Sequence, residues 1–238
     1  MSVRVHSACV QGIEGITVRV EVDITPGLPA FDIVGLPDHA VQESKQRVRA
    51  AIKNTGAKFP LNRKVVNLAP AHVRKHGPMY DLPIAIGILA AAKEIPGNSI
   101  EQCMFIGELS LDGILQPARG ILPVILHAKN EGFLAAYIPV QNYDEACRID
   151  GIRTYPVHDL HQLIEHLRHG TAIEKPENIA NSITKNPEKP QKFFIPKGQE
   201  VGKDALEIAV AGNHQLIYTV PPRIGKTLLA KIAPVFLP

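Results

Sequence analysis

The sequence predicts a mixed α/β (α+β) domain of about 165 residues, then a linker, then the opening of a second and smaller unit. Three observations carry this reading. Runs of β-branched residues lead at the N-terminus and then alternate with segments of helical period. Composition changes sharply after Gly170. A strand–loop–helix pattern surrounds Lys226.

The first elements form a hairpin. Val3–Val10 and Ile16–Ile24 are rich in β-branched residues, and QGIEG supplies the turn between them. Ala30–Val34 is a third, short strand, stopped by GLPD. Asp38 is placed to cap a helix from His39 to about Asn54. Val41, Val48 and Ile52 share one face of that helix, whereas Glu43, Arg47, Arg49 and Lys53 fall mostly elsewhere. Gly56 follows, as helix ends prefer.

Val65–Leu68 is an apolar strand. Asp81–Ala92 reads as a helix with almost no polar face, so it belongs in the middle of the fold. Asp81 is expected as its cap, with Pro83 tolerated in the first turn. Met104–Gly107 and Gly113–Leu115 are expected as strands around a turn at Leu111–Gly113. A helix at Ile121–Asn130 stops before Gly132. A strand at Ala136–Pro139, a short helix at Tyr143–Cys147, a strand at Arg153–Tyr155 and a helix at His158–Leu167 complete the domain.

From Gly170 to Lys192, Pro, Asn, Glu and Lys dominate and periodicity is lost, as in a solvated linker. A helix at about Lys203–Ala211, a strand at Gln215–Tyr218, a loop and a helix from Lys226 follow. The regions are therefore 1–168, a linker at 169–192, and 193–238. So short a last region rarely forms a core of its own, because little surface is buried against chain entropy.

Composition narrows the classes. Hydrophobic residues are 45% and charged residues 21% of 238, and the net charge is +3. This is an ordinary folded protein, and so mild a positive charge does not by itself imply nucleic acid. The three cysteines, Cys9, Cys103 and Cys147, form no CxxC pair, which argues against a disulfide framework or a structural zinc site. No run approaches the length that spans a membrane, and the N-terminus lacks the apolar core of a signal peptide. A cytoplasmic protein without membrane partners is the expectation.

The segment TVPPRIGKTLLAK carries the clearest chemistry. A phosphate-binding loop reads G-x-x-x-x-G-K-[ST] between a strand and a helix. Its backbone N–H groups surround phosphates, its Lys neutralises β/γ oxygens and its hydroxyl reaches Mg²⁺. Gly225, Lys226 and Thr227 are in place, but Val220 stands where the first Gly belongs and Arg223 adds a side chain to the loop. Either residue is strained wherever φ must be positive. No strand bearing a second acid for Mg²⁺ follows, so hydrolysis of ATP by this chain is not expected.

Other polar groups invite weaker readings. VHDLHQLIEHLRHG holds four histidines, with His158 and His161, then His166 and His169, three apart. Without a nearby Cys, and with Asp159, Glu165 and Arg168 interspersed, a solvated helix face is favoured over a metal site. Arg63, Lys64, Arg74, Lys75 and His76 form a modest basic group with few aromatics between them. That makes DNA a candidate partner but argues against a base-stacking platform.

Three long runs give a resemblance. FDIVGLPDHAVQESKQRVRAAIKNTGAKFP, VNLAPAHVRKHGPMYDLPIAIGILAA and FIGELSLDGILQPARGILPV resemble the YifB/ComM family of magnesium-chelatase-like AAA+ ATPases. KGQEVGKDALEIAVAGNHQLIYTVPPRIGKTLLAK resembles the start of the ATPase module of that family. The resemblance implies a Lon-protease-like (ribosomal protein S5 domain 2-like) domain followed by an incomplete P-loop AAA+ βα unit. It also implies ATP and Mg as family cofactors, a homo-oligomer that is hexameric in full-length members, and a link to ATP-dependent DNA branch migration in transformation.

Where the family loop reads like GPPGSGKT, this chain has Val220, Arg223 and Ile224. The chain therefore reads as a truncated member. Two alternatives stand beside this: half of a split ATP-dependent DNA motor, and a non-enzymatic DNA- or protein-binding module. The resemblance to Lon-type domains raises a Ser–Lys peptidase. Met79 in HGPMYD falls at the serine position and Leu122 in RGILPV at the lysine position, so peptidase chemistry by that route is not expected. Ser110 and Lys129 have no spacing that marks them as a substitute pair.

Overall fold

A seven-stranded sheet organises the first unit. The computed structural model describes residues 2–12, 14–176, 200–212 and 214–219. The chain divides into two compact units, Met1–Ile179 and Ala180–Pro238.

The strands of the main sheet are β1 (Val3–Gln11), β2 (Glu14–Thr25), β3 (Phe31–Val34), β4 (Arg63–Ala69), β5 (Cys103–Phe105), β8 (Ala135–Pro139) and β9 (Arg153–Val157). Their order is β3-β4-β2-β1-β5-β8-β9. The β1–β2 and β2–β4 pairs are antiparallel and the other four pairings are parallel. A separate hairpin pairs β6 (Glu108–Leu109) with β7 (Leu115–Gln116).

The expected hairpin forms with longer arms. Its ladder runs from Val3↔Val22 to Gln11↔Glu14, and Gly12 in the connection has φ 65°. Glycine at this position costs no Cβ clash, so pairing continues almost to the turn. The strand expected at Met104–Gly107 is shorter, Cys103–Phe105, and belongs to the main sheet. It does not pair with the strand expected at Gly113–Leu115, which instead meets Glu108–Leu109.

Side-chain alternation divides the core between the two faces of the sheet. Cys103 and Phe105 of β5, with Ala135 and Tyr137 of β8, join the larger cluster. Met104, Ala136 and Ile138 join the smaller one. The larger cluster contains α1 (His39–Asn54), α2 (Asp81–Ala91) and α5 (Leu160–His169); the smaller contains α3 (Ile121–Asn130) and the one-turn α4 (Tyr143–Ala146). The unit is thus helix–sheet–helix in section.

Every residue of α2 from Asp81 to Ala90 is buried, as its composition predicts. Gly87 makes this possible, because a Cβ there would sit 2.6 Å from Cγ2 of Val22 on β2. α1 begins as predicted, with the Asp38 carboxylate accepting from the Val41 N–H at 2.9 Å. Cys9 and Cys103 are buried free thiols, and Cys147 is partly exposed. No helix among the described residues is long and apolar enough to cross a membrane.

In the second unit, α6 (Glu200–Ala211) starts three residues earlier than expected. The strand expected at Gln215–Tyr218 is not formed; residues 214–219 lack regular structure. A strand needs a ladder partner for its N–H and C=O groups, and none pairs with it among the described residues. Tyr218 instead donates its hydroxyl to the Gly202 carbonyl at 2.6 Å.

Candidate functional site

A cleft of about 310 Å³ lies where the segment ahead of α2 meets the β6–β7 hairpin; His76, Met79, Glu108, Pro117, Ala118 and Arg119 contribute to its lining. Three anchors shape it. Asp38 is the first. Besides capping α1, its carboxylate accepts from the Gly77 N–H at 3.1 Å and faces His76 Nδ1 at 3.3 Å. Partial burial works against its charge. The donors of Val41 and Gly77, with His76 alongside, prevail and hold the carboxyl below its ordinary value of 3.8.

Asp81 is the second anchor, and here the sequence expectation is corrected. Asp81 is the first residue of α2 rather than its cap, and it is fully buried. Its carboxylate takes a bidentate contact from Arg47, at 2.6 Å from Nε and 3.1 Å from Nη2. It also accepts from the Leu109 N–H at 3.2 Å. Arg47 donates further to the Ala40 carbonyl and the Ser44 hydroxyl. Burial pushes the Asp81 carboxyl up while Arg47 draws it down, and Asp81 in turn raises the Arg47 guanidinium. Asp81 makes no capping bond to its own helix, because Arg47 and the Leu109 N–H occupy its two oxygens. The pair joins α1, α2 and β6.

The third anchor is Asn142, a residue that sequence reading did not single out. Its side chain exchanges two 2.9 Å hydrogen bonds with the Ala118 backbone and donates to Glu145 at 2.7 Å. Ala118 lies on the cleft wall, so Asn142 fixes that wall from beneath. Only its position beside YDEA, at the start of α4, could have drawn attention to it.

Met79 sits in this cleft, half-buried against both core clusters. Its thioether has no proton to transfer. Leu122 is 44% exposed on α3 and is not part of the cleft lining. Ser110 and Lys129 are not brought together. The Ser110 hydroxyl accepts from the Ile114 N–H within its turn, whereas Lys129 lies against Gly151.

The basic group expected around β4 is not one surface. Lys64 is buried, with Nζ donating to the carbonyls of Pro60 and Asn62. Lys75 is fully buried and donates to the Pro70 carbonyl. Arg63 faces Asp32 at 3.7 Å, and His76 faces Asp38. Period-two alternation on β4 buries every second residue, Lys64 included. Only the tertiary fold shows that its ammonium stays inside.

The histidine segment forms the amphipathic α5, whose start Asp159 caps through the Gln162 N–H at 2.8 Å. His158, His161 and His169 are exposed. His166 is not part of a purely solvated face: it contacts the Tyr137 hydroxyl at 3.1 Å and the Thr171 carbonyl at 2.6 Å. Tyr137 is stacked between Phe105 and Tyr155 at 4.8 and 4.9 Å. Among the described residues no group of three or more His, Cys, Asp or Glu side chains could hold a metal ion. Val220, Arg223, Gly225, Lys226 and Thr227 lie outside the described residues.

The family model for subunit ChlI of Mg-chelatase matches residues 20–142, and a second model, magnesium chelatase subunit ChlI, matches residues 195–238. An uncharacterised protein of Mycobacterium tuberculosis (strain CDC 1551) is 42% identical over 235 residues, covering 99% of this chain and 46% of that protein. The competence protein ComM of Haemophilus influenzae is 38% identical over 232 residues, covering 95% of this chain and 45% of that protein. Lon protease 2 of Bacillus subtilis is 30% identical over 100 residues, covering 41% of this chain and 18% of that protein. The chain spans about half the length of the first two of these curated relatives.

Proposed function

The chain belongs to the YifB/ComM group of magnesium-chelatase-like proteins, and on that premise we propose a non-peptidase role for its first unit. This Lon-like unit is a scaffold for ring assembly or DNA contact in an ATP-dependent DNA motor. This chain does not itself turn over ATP. The observation that carries the reading is Met79 in the cleft ahead of α2, with no hydroxyl there to attack and no amine to activate one.

The DNA and ATP parts rest on resemblance to a relative named as a competence protein. Lys226 and Thr227 are the residues that would meet phosphate oxygens and Mg²⁺. Val220 and Arg223 stand at positions where the family loop has glycine, which supports loss of turnover.

The test is phosphate release from Mg-ATP by the purified chain. The expected rate equals that of Lys226→Ala; release above that control would sink the claim. Gel shifts with single-stranded and branched DNA over a salt series test the contact role. Affinity should fall steeply with salt if phosphates are neutralised, and absence of salt-sensitive binding would count against DNA contact.

A further inference from the structure

A second cavity, of about 170 Å³, opens where the start of β3 meets α1 and the loop before β4. Phe31, Lys45, Arg49, Phe59, Leu61 and Lys64 contribute to its lining, and no carboxylate does. Lys45 and Arg49 are one turn apart on α1 and so share a face. Lys64 reaches the same space from β4 while remaining only 2% exposed.

Nothing acidic balances these charges. Among the described residues, none of the three cations forms an ion pair with a carboxylate; nearby Arg63 has Asp32, and Arg47, on the opposite side of α1, has Asp81. Lys64 is held by two carbonyls, Pro60 at 2.8 Å and Asn62 at 2.6 Å, and lies 4.6 Å from the centroid of the Phe59 ring. An ammonium has three donors, and two carbonyls leave one over. Burial lowers the Lys64 pKa, and the charge of Arg49 lowers it further. Like charges held this close with partial desolvation cost energy that a bound anion would recover.

We propose that this cavity is a phosphate site, seating one phosphate group that is either free or carried by a single nucleotide. Lys45 and Arg49 supply flexible and forked donors at the mouth, and Lys64 a fixed one at the base. Phe31, Phe59 and the 69% exposed Leu61 form an apolar rim against which a sugar or base can lie. The site is built from described residues of the first unit and is distinct in sequence from the loop at Val220–Thr227.

Isothermal titration of the full chain with inorganic phosphate, and separately with a deoxynucleoside monophosphate, tests this at fixed ionic strength in chloride. Wild-type protein should bind saturably. Lys45→Ala with Arg49→Ala should weaken binding by at least about tenfold, the loss expected for charge-assisted contacts, with an unchanged circular dichroism spectrum and melting temperature. Lys226→Ala should leave it within about twofold, since that residue is outside the site. Tighter binding of the nucleotide assigns the rim to the base or sugar, and equal binding assigns the site to free phosphate; both uphold it. No saturable phosphate binding, or binding lost in Lys226→Ala but kept in the double variant, would overturn it. Neither result bears on ATP turnover, which the phosphate-release assay reads separately.

Discussion

At Asp38 a single carboxylate closes a helix and a loop together, and its protonation links both to pH. Its folded pKa lies below 3.8, so the unfolded chain takes the proton first as pH falls. The stabilisation is complete above the unfolded value and fades as pH drops from there through the folded one. Asp38→Ala should cost about 1–2 kcal/mol at neutral pH. That difference should shrink as pH falls below about 4 in urea titrations; an equal loss at neutral and at acidic pH would refute the linkage. Asp81 is a different case. Asp81→Asn takes from Arg47 its bidentate buried partner and leaves it the more exposed Glu43 carboxylate at 3.8 Å, and stability should fall by about 3 kcal/mol. Replacing both partners, Arg47→Met with Asp81→Leu, should recover much of the loss in the same titration. A loss in Asp81→Asn below about 1 kcal/mol would show that the pair is not a buried anchor. Sequence pattern places both acids at the starts of helices and reads both as caps. The reading is right for Asp38, where the partner N–H is three residues away, and wrong for Asp81, whose partner is 34 residues away.

The helix α2 shows what an element's composition reveals and what it hides. Its lack of a polar face is enough to place it in the core. The requirement for glycine at 87 is not visible in the sequence, because it depends on the approach of β2. Gly87→Ala would gain about 1 kcal/mol in an exposed helix. Here the new Cβ meets Val22, and a net loss of about 1–2 kcal/mol is expected from overpacking; a melting temperature at or above wild type would contradict the close packing. Asn142 makes the same point for the cleft. Asn142→Ala strips two partners from the Ala118 backbone and should cost about 2 kcal/mol in denaturant unfolding. The strand expected at Gln215–Tyr218 failed for the converse reason: alternation proposes a strand, but only a neighbouring ladder makes one.

On the scale of the whole molecule, the chain is two units, and the sheet, both core clusters and the cleft belong to the first. A polypeptide ending at Ile179 should therefore unfold cooperatively, with a melting temperature within about 3 °C of the full chain; a broad, early transition would mean that the first unit depends on the second. The sequence by itself determined the mixed α/β class, the order and approximate bounds of nearly every element of the first unit, and the family, because these follow from local periodicity and contiguous motifs. It shows too that Met79 and Leu122 carry neither a nucleophilic hydroxyl nor an amine, since side-chain chemistry needs no coordinates. Tertiary structure alone decided where charge ends up. Lys64 and Lys75 read as surface cations and are internal, Asp81 reads as a cap and is half of a buried pair, and Lys45, Arg49 and Lys64, separated along the chain, converge on one cavity without an acid. Arg47 and Asp81 are 34 positions apart, and the burial of Lys64 and Lys75 depends on how whole elements pack, so a short window along the sequence shows neither.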